Sequence, residues 1–528
     1  MAVQGVLIDG RWRKSEGTET FGVENPATKA PLGETYPISS WSDCDAALSA
    51  ADRAADELRS LPSEPIADFL QKFADRIEAR AADLVAMANS ETALPVAPRL
   101  GEVELPRTTG QLRQAAQAAR DGSWTTPTID TKLGIRSLYA PIGPVWVFGP
   151  NNFPYAFNSI AGGDFAAAIA AHNPVIAKAN SSHPGTTRLL GEAADEASRT
   201  AGLPAGAVQL IYRTSHADGE RAVSDPRTGA VAYTGSRAAG LKLKAAADAA
   251  GKPIYLELSS VNPVVVLPGA IEERGEQIAG EFSTSCLMGT GQFCTNPGLV
   301  LLIGGPQSER FVDAVRDKFK SAPVGTLLSK GVAQSLEKSV EKLQSAGAQP
   351  LTGGTAGGGT GYSYSNTLLR ISADRFLKNP EECQTEAFGN ASLFVVAEDP
   401  QQAQRVIEHL EGNLTGCIYS STQGRDDALY GQLAPGLRQR VGRLLNDKMP
   451  TGVAVSSAMN HGGPYPATGH PGFTAVGIPA SIRRFAVLQC YDNVRPHRLP
   501  PALRDENPTG TMWRLIDDAW TQAGVKKS

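Results

Sequence analysis

Cysteine is scarce in this chain: six residues, at positions 44, 286, 294, 383, 417 and 490, among 528. They form no CxxC pair and no Cys/His spacing of a zinc site, which excludes a disulfide framework and leaves free thiols, one of which can be reactive. No bound metal is expected. Long apolar runs are missing as well, since no window approaches the ~18 consecutive apolar residues of a membrane span, and the opening MAVQGVLIDGRWRKSEG has no signal-peptide core. A cytoplasmic location and no membrane partner are the expectations. Positive charge is not in excess either: 50 Lys and Arg face 54 Asp and Glu, for a formal net charge of -4. A nucleic-acid partner is thereby excluded, because a phosphate-binding surface shows as a basic surplus or stripe. The GxGxxG fingerprint of dinucleotide binding is also absent.

What is present is a strong rhythm of short apolar runs and helical stretches. Residues 45–100 are rich in Ala, Leu, Glu and Arg at helical spacing, as in SEPIADFLQKFADRIEARAADLVAMANSETAL, and predict helices. From 143 the runs GPVWVFG, NPVIAKAN, AVQLIY, GAVAYTGS and PIYLELSS alternate with AGGDFAAAIAAH, TTRLLGEAADEAS and SRAAGLKLKAAADAA. Such alternation predicts a parallel sheet with helices on both faces. NPVVVLP follows, and a second α/β set runs from about 271 to 455, including GLVLLIGG and QQAQRVIEHLEGN. AGAQPLTGGTAGGGTGYSY reads as surface loop or hairpin turn.

The expected class is therefore α/β: a Rossmann-like parallel-sheet cofactor domain (1–124 and 143–265), an α/β catalytic domain (266–455) and a small antiparallel oligomerisation ribbon. The ribbon, 125–142 and 482–500, pairs the strand-like segments WTTPTIDTKLGIRSLY (124–139) and ASIRRFAVLQCY (480–491), because a lone two-stranded ribbon is marginal. Segments 456–481 and 501–528 are a return segment and a tail. An open ribbon edge favours a homodimer or homotetramer.

Cys294 stands in GTGQFCTNPG, where flanking glycines allow close backbone approach; it is a nucleophile or a small buried hydrophobe. Glu257 ends the apolar run IYLEL, where a carboxylate must be paired, hydrated or protonated, so it is a general base or a strand-end ion pair. Asn152 follows VWVF and is an oxyanion donor or an Asx-turn residue. Thr234, Gly235 and Ser236 lie where a strand meets a helix start, a place suited to a pyrophosphate, and Ser236 also fits an ordinary N-cap.

Together, GQFCTNPG around Cys294, YLELSSVNP around Glu257, GPNNFP around Asn152, AYTGS at 232–236 and TEAFGN around Glu386 resemble the aldehyde dehydrogenase superfamily, in order and across nearly the whole chain. Ser259 and Ser260 stand where that family has glycines. The resemblance implies that an aldehyde is oxidised to its acid by way of a thioester on Cys294. Asn152 would hold the oxyanion and Glu257 would activate water; a coenzyme A-acylating enzyme, a phosphorylated-substrate reductase or a non-catalytic relative are the alternatives. Lys178 would contact the adenine ribose. Ser181 occupies a position where NAD-specific members tend to carry glutamate, so NADP is the expected cofactor, with NAD possible and Arg213 as a second phosphate partner. Glu386 and Phe388 would hold the nicotinamide ribose and ring. Phe153, Tyr155 and Phe157 would line the substrate pocket, although such spacing also suits a plain core segment.

NHGGPYPATG at 460–469, with AHNPVIAKANSSHPGT at 171–186, is similar to an NADP-using branch, the 2-oxoglutarate semialdehyde (2,5-dioxopentanoate) dehydrogenases and bacterial fatty aldehyde dehydrogenase. In that branch a histidine lies near the thiol, which makes His461 a candidate second base.

Overall fold

Strand Val145–Phe148 is buried along its whole length, as are Val208–Ile211 and Ile254–Glu257. That is the signature of strands covered on both faces, and it explains why these runs are continuously apolar. The structure, a computed structural model describing residues 3–526, arranges them in a seven-stranded sheet. Its order is Ile254–Glu257, Ala230–Thr234, Val145–Phe148, Val175–Lys178, Val208–Ile211, Val6–Ile8 and Arg11–Arg13. The first five run parallel, and the N-terminal hairpin adds antiparallel at the far edge.

The parallel part of this sheet begins at Val145–Phe148, steps outward through two strands, then returns to lay Ala230–Thr234 on the opposite flank. At that reversal the loops leaving neighbouring strands diverge, and a crevice opens at the carboxyl ends of the strands. The expected N-terminal helices are present as Trp41–Ser60, Ser63–Ala79 and Ala81–Thr92. In the second of these, Phe69, Phe73 and Ile77 recur at helical spacing and are fully buried. Phe69 and Phe73 pack on Phe165 with ring centroids 6.2 and 5.9 Å away.

A second seven-stranded sheet has the order Gln349–Thr352, Thr367–Ser372, Ala391–Ala397, Leu299–Ile303, Val264–Val266, Asn413–Tyr419 and Val441–Asn446. Only its first pair is antiparallel. Val264–Val266 thus lies between two strands of the second sheet, so the expected division at 265 cuts through one strand. The chain crosses between the sheets just before it, at 258–263. The Gly- and Thr-rich stretch contributes the edge strand Gln349–Thr352 before becoming turns.

The expected ribbon pairs as anticipated: Ile135–Pro141 runs antiparallel to Thr128–Asp130 and to Ala486–Asp492. The C-terminal segment is more than a tail. Arg514–Ile516 pairs parallel with Thr128–Asp130 and carries Ala519–Thr521 beside it, which makes a five-stranded sheet. Arg514 is fully buried there and donates to the carbonyls of Arg504, Asp505 and Ala523. Lys527 and Ser528 lie outside the described residues. No helix among the described residues is long and apolar enough to cross a membrane.

Candidate active site

Glu257 is the last residue of its strand, and what lies beside it was far away in the chain. Residues 460–469 run along the open edge of Ile254–Glu257: Leu258 donates to the Ala467 carbonyl at 2.8 Å and Gly469 to that of Leu256 at 3.1 Å. Gly463 makes this course possible, because a Cβ there would overlap the backbone of Asn413. His461 is delivered to the strand end, buried, with Nε2 3.0 Å from Glu257 Oε1 and 3.4 Å from Cys294 Sγ. The other carboxylate oxygen of Glu257 is buried without a hydrogen bond.

Cys294 reaches this point on a loop with unusual backbone. Gly289, Thr290 and Gly291 are all left-handed, with φ of 55, 58 and 69°, a conformation that costs a non-glycine residue energy. A Cβ at Gly291 would overlap the Gly389 carbonyl. This glycine therefore lets the Cys294 loop pack closely against the Gly389 backbone. Asn262 ties the loop down, donating to the carbonyls of Cys294 and Asn296, both at 2.9 Å. Of the remaining thiols, Cys44, Cys286, Cys383 and Cys417 are buried and Cys490 is on the exposed ribbon strand.

The Cys294 thiol is pushed well above its usual range, first by burial and then by the neighbouring Glu257 carboxylate, while the Arg107 guanidinium opposes the shift. A site of this kind holds its sulfur protonated until a base takes the proton. Asn152, also buried, donates one amide hydrogen to the Gln292 carbonyl at 3.0 Å, two residues before Cys294. Its second amide hydrogen remains available beside the nucleophile loop.

The crevice at the sheet reversal is a cavity of about 710 Å³ that gathers Lys178, Ser181, Arg213, Thr234, Gly235 and Ser236, as expected. Ser236 takes the N-cap position of helix Arg237–Ala249, but its side chain makes no capping bond, which corrects its reading as a working cap. The first-turn N–H groups are left without a side-chain acceptor, as an anion site requires. Three cations, Lys178, Arg213 and Lys242, and one carboxylate, Glu220, line this cavity. Burial, with repulsion from Arg213, brings the Lys178 ammonium down to about 8. Size, cations and a free helix start fit a dinucleotide.

Glu386 and Phe388 line a narrow crevice with Ser260, Gly291 and Phe293, against the nucleophile loop. Burial pushes the Glu386 carboxyl up to about 7, opposed by hydrogen bonds from Ser259 and Ser260. Of the two serines standing in for glycines, Ser259 holds this carboxylate by its hydroxyl, whereas Ser260 does so through its backbone N–H. Phe153 and Phe157 meet edge to face at 5.2 Å; Phe153 also contacts Phe293 at 5.5 Å and Phe157 contacts His461 at 5.7 Å. Tyr155 does not join them. It is fully buried and its hydroxyl donates to the Leu84 carbonyl at 2.7 Å, so it anchors the segment instead of lining a pocket.

Several site residues escaped the sequence reading. Asn262 and Gln292 act through loop carbonyls, and Asn413 Oδ1 accepts the N–H groups of Val261 and Asn262. Glu104 accepts those of Tyr155 and Ala156 at 2.8 and 3.0 Å and pairs with Arg99. The only signal for this last group was charge at 99, 104 and 107 in a stretch otherwise suited to plain helix. Glu257, Cys294 and His461 also present three donor atoms within 4.8 Å of one another, a soft-metal donor set that no local spacing announced.

A crevice at a sheet reversal next to a half-buried thiol and a buried imidazole and carboxylate defines an NAD(P)-dependent dehydrogenase of aldehydes. The chain belongs to the aldehyde dehydrogenase family, whose family model matches residues 12–444. It is 38% identical over 521 residues to alpha-ketoglutaric semialdehyde dehydrogenase 2 of Azospirillum brasilense, covering 96% of this chain and 98% of that protein. To the alpha-ketoglutaric semialdehyde dehydrogenase of Acinetobacter baylyi it is 34% identical over 528 residues, covering 98% of each. Its fold matches that of lactaldehyde dehydrogenase from Escherichia coli with a TM-score of 0.80 at 24% identity, over 93% of this chain and 98% of the other.

Proposed function

We propose that this protein oxidises α-ketoglutaric semialdehyde (2,5-dioxopentanoate) to 2-oxoglutarate with NADP, through a thioester on Cys294. The observation that carries this reading is the convergence of Cys294, His461 and Glu257 beside a dinucleotide-sized crevice. Near-full-length similarity to two alpha-ketoglutaric semialdehyde dehydrogenases supports the substrate. Lys178 and Arg213, with an uncharged Ser181 in the same cavity, support a cofactor bearing a 2′-phosphate.

The chain's own groups perform the acid–base work. The Cys294 proton passes to the Glu257–His461 pair, and the thiolate adds to the aldehyde carbon. The free amide hydrogen of Asn152 donates to the resulting alkoxide, which is the charge the step creates. When bound at the crevice, NADP supplies the hydride acceptor that converts the thiohemiacetal to the thioester. Glu257 then takes a proton from the attacking water, and the sulfur departs as thiolate with release of the acid. A buried carboxylate at the sulfur favours water over a thiol as acyl acceptor, so hydrolysis is preferred to transfer to coenzyme A.

Lys178, Thr234, Gly235 and Ser236 hold the adenosine and phosphate portions, while Glu386 and Phe388 hold the nicotinamide end. The exposed strand Ala486–Asp492 sits at the edge of its sheet, and a second copy of the chain covers it in a homodimer or homotetramer. The test is product analysis with 2,5-dioxopentanoate and NADP, with and without coenzyme A. One NADPH and one 2-oxoglutarate per aldehyde, unaffected by coenzyme A, is the expected result; formation of a coenzyme A ester would refute it.

A further inference from the structure

We propose that Arg107 binds the far end of the substrate and makes this protein selective for ω-oxo carboxylates, the aldehyde's own carboxylate completing a charge that the fold leaves unpaired. The assignment rests on the reading of the site as aldehyde-oxidising. Arg107 lies in the first turn of helix Leu105–Asp121. Its Cζ is 5.2 Å from the Phe157 ring centroid and 5.9 Å from that of Phe153. Nε donates to Gln111 Oε1 at 3.1 Å, whereas Nη2 is buried with no hydrogen-bond partner.

The contrast with its neighbour is informative. Arg99 stacks on Phe153 at 4.4 Å but is neutralised by Glu104, and Glu104 also accepts two backbone N–H groups. Arg107 has no carboxylate at ion-pair distance among the pairs of the described residues. A guanidinium is withdrawn from water at a cost unless an anion and hydrogen-bond acceptors replace the water. Burial lowers the Arg107 guanidinium, and the nearby Glu104 carboxylate opposes that shift.

The side chains that link Arg107 to the thiol site are aromatic. Phe157 joins Arg107 to His461, whose ring is 5.7 Å from it, and Phe153 joins Arg107 to Phe293, the residue before Cys294. Aromatic walls with a cationic end suit a short methylene chain with an aldehyde at one terminus and a carboxylate at the other. The planar fork of arginine matches a carboxylate with two parallel hydrogen bonds, which a lysine cannot reproduce.

A competing role is stabilisation of the Cys294 thiolate, which would serve every aldehyde alike. The experiment compares kcat/KM for 5-oxopentanoate and pentanal, equal in length, using the full chain with NADP, in wild type and in Arg107→Met and Arg107→Lys. Wild type is expected to prefer the carboxylate by about 100-fold or more, since a site built around a polar partner rejects the analogue lacking it. Arg107→Met is expected to collapse that ratio through KM, and Arg107→Lys to restore part of it. Equal losses on both aldehydes in Arg107→Met overturn the assignment. So does a wild-type enzyme without preference, a result that needs no variant to fold. Turnover of neither aldehyde would instead sink the reading of the site itself.

Discussion

His461 Nε2 lies 3.0 Å from Glu257 Oε1 although 204 positions separate the two residues. The same nitrogen is 3.4 Å from Cys294 Sγ, so one imidazole bridges the carboxylate and the thiol. Glu257→Gln keeps the shape of that contact and removes its charge. Because the Glu257 carboxylate raises the thiol, the variant's apparent thiol pKa should fall. Deacylation should slow by about 10²- to 10⁴-fold, the range of a general base. Stopped-flow measurement of NADPH should then show a burst followed by little turnover; steady turnover at the wild-type rate would remove Glu257 from the reaction.

The thiol itself carries a pH prediction. Burial and the adjacent carboxylate hold it protonated at neutral pH, and each pH unit below its pKa costs tenfold in thiolate. Inactivation by iodoacetamide should therefore accelerate steadily from pH 6 to pH 9, with no plateau near neutrality. In His461→Asn, which loses the bridging base, turnover should fall while the thiol still alkylates. A plateau at pH 7 in the wild type would contradict the sign of the shift.

Asn152 works through one donated hydrogen and one free one. Asn152→Ala removes both the oxyanion donor and the tether to the Gln292 carbonyl. Loss of one such donor typically costs ~3 kcal/mol, so kcat should fall about 10²- to 10³-fold. Cofactor affinity, measured by fluorescence titration, should stay within about twofold of wild type.

Lys178 titrates at about 8 in this structure. It is charged below that pH and neutral above it, so its attraction for a 2′-phosphate is present at pH 7 and is lost as the pH rises through 8. The ratio of NADP to NAD affinity should decline between pH 7 and 9, and Lys178→Met should flatten the decline. A ratio constant over that interval would place the phosphate elsewhere.

The ribbon strand Ala486–Asp492 exposes Val487 and Leu488 at 42% and 59%. A proline at Val487 or a glutamate at Leu488 should weaken assembly, because edge strands pair through free backbone groups and apolar side chains. Light scattering behind size exclusion should report the shift to smaller species; unchanged mass would put the oligomer contact on another face.

The five parallel strands of the first sheet and two of the second, Val264–Val266 and Leu299–Ile303, could be read directly from the chain, as could the N-terminal helices and the ribbon pairing. Their apolar periodicity is a local property that burial on two faces requires. The motifs around Cys294, Glu257, Asn152 and His461 were likewise visible, because each motif is short and contiguous. Tyr155 was misassigned because alternate aromatics look the same from the chain whether they face a pocket or a core; its hydroxyl bond to Leu84 settled the matter. Arg107 gave no signal beyond its charge, and a charged residue in a helix is ordinarily solvated.

The amino-acid order alone thus determined which segments become strands and helices and which short motifs carry reactive groups. Only the tertiary fold decided that Arg107 packs on Phe153 and Phe157 with Nη2 unpartnered, that Asn262 grips the Cys294 loop, and that Cys294, His461 and Glu257 meet at one point. Local patterns follow from the backbone's few allowed conformations and the need to bury apolar side chains, whereas burial of a charge and the meeting of distant groups depend on how whole layers pack.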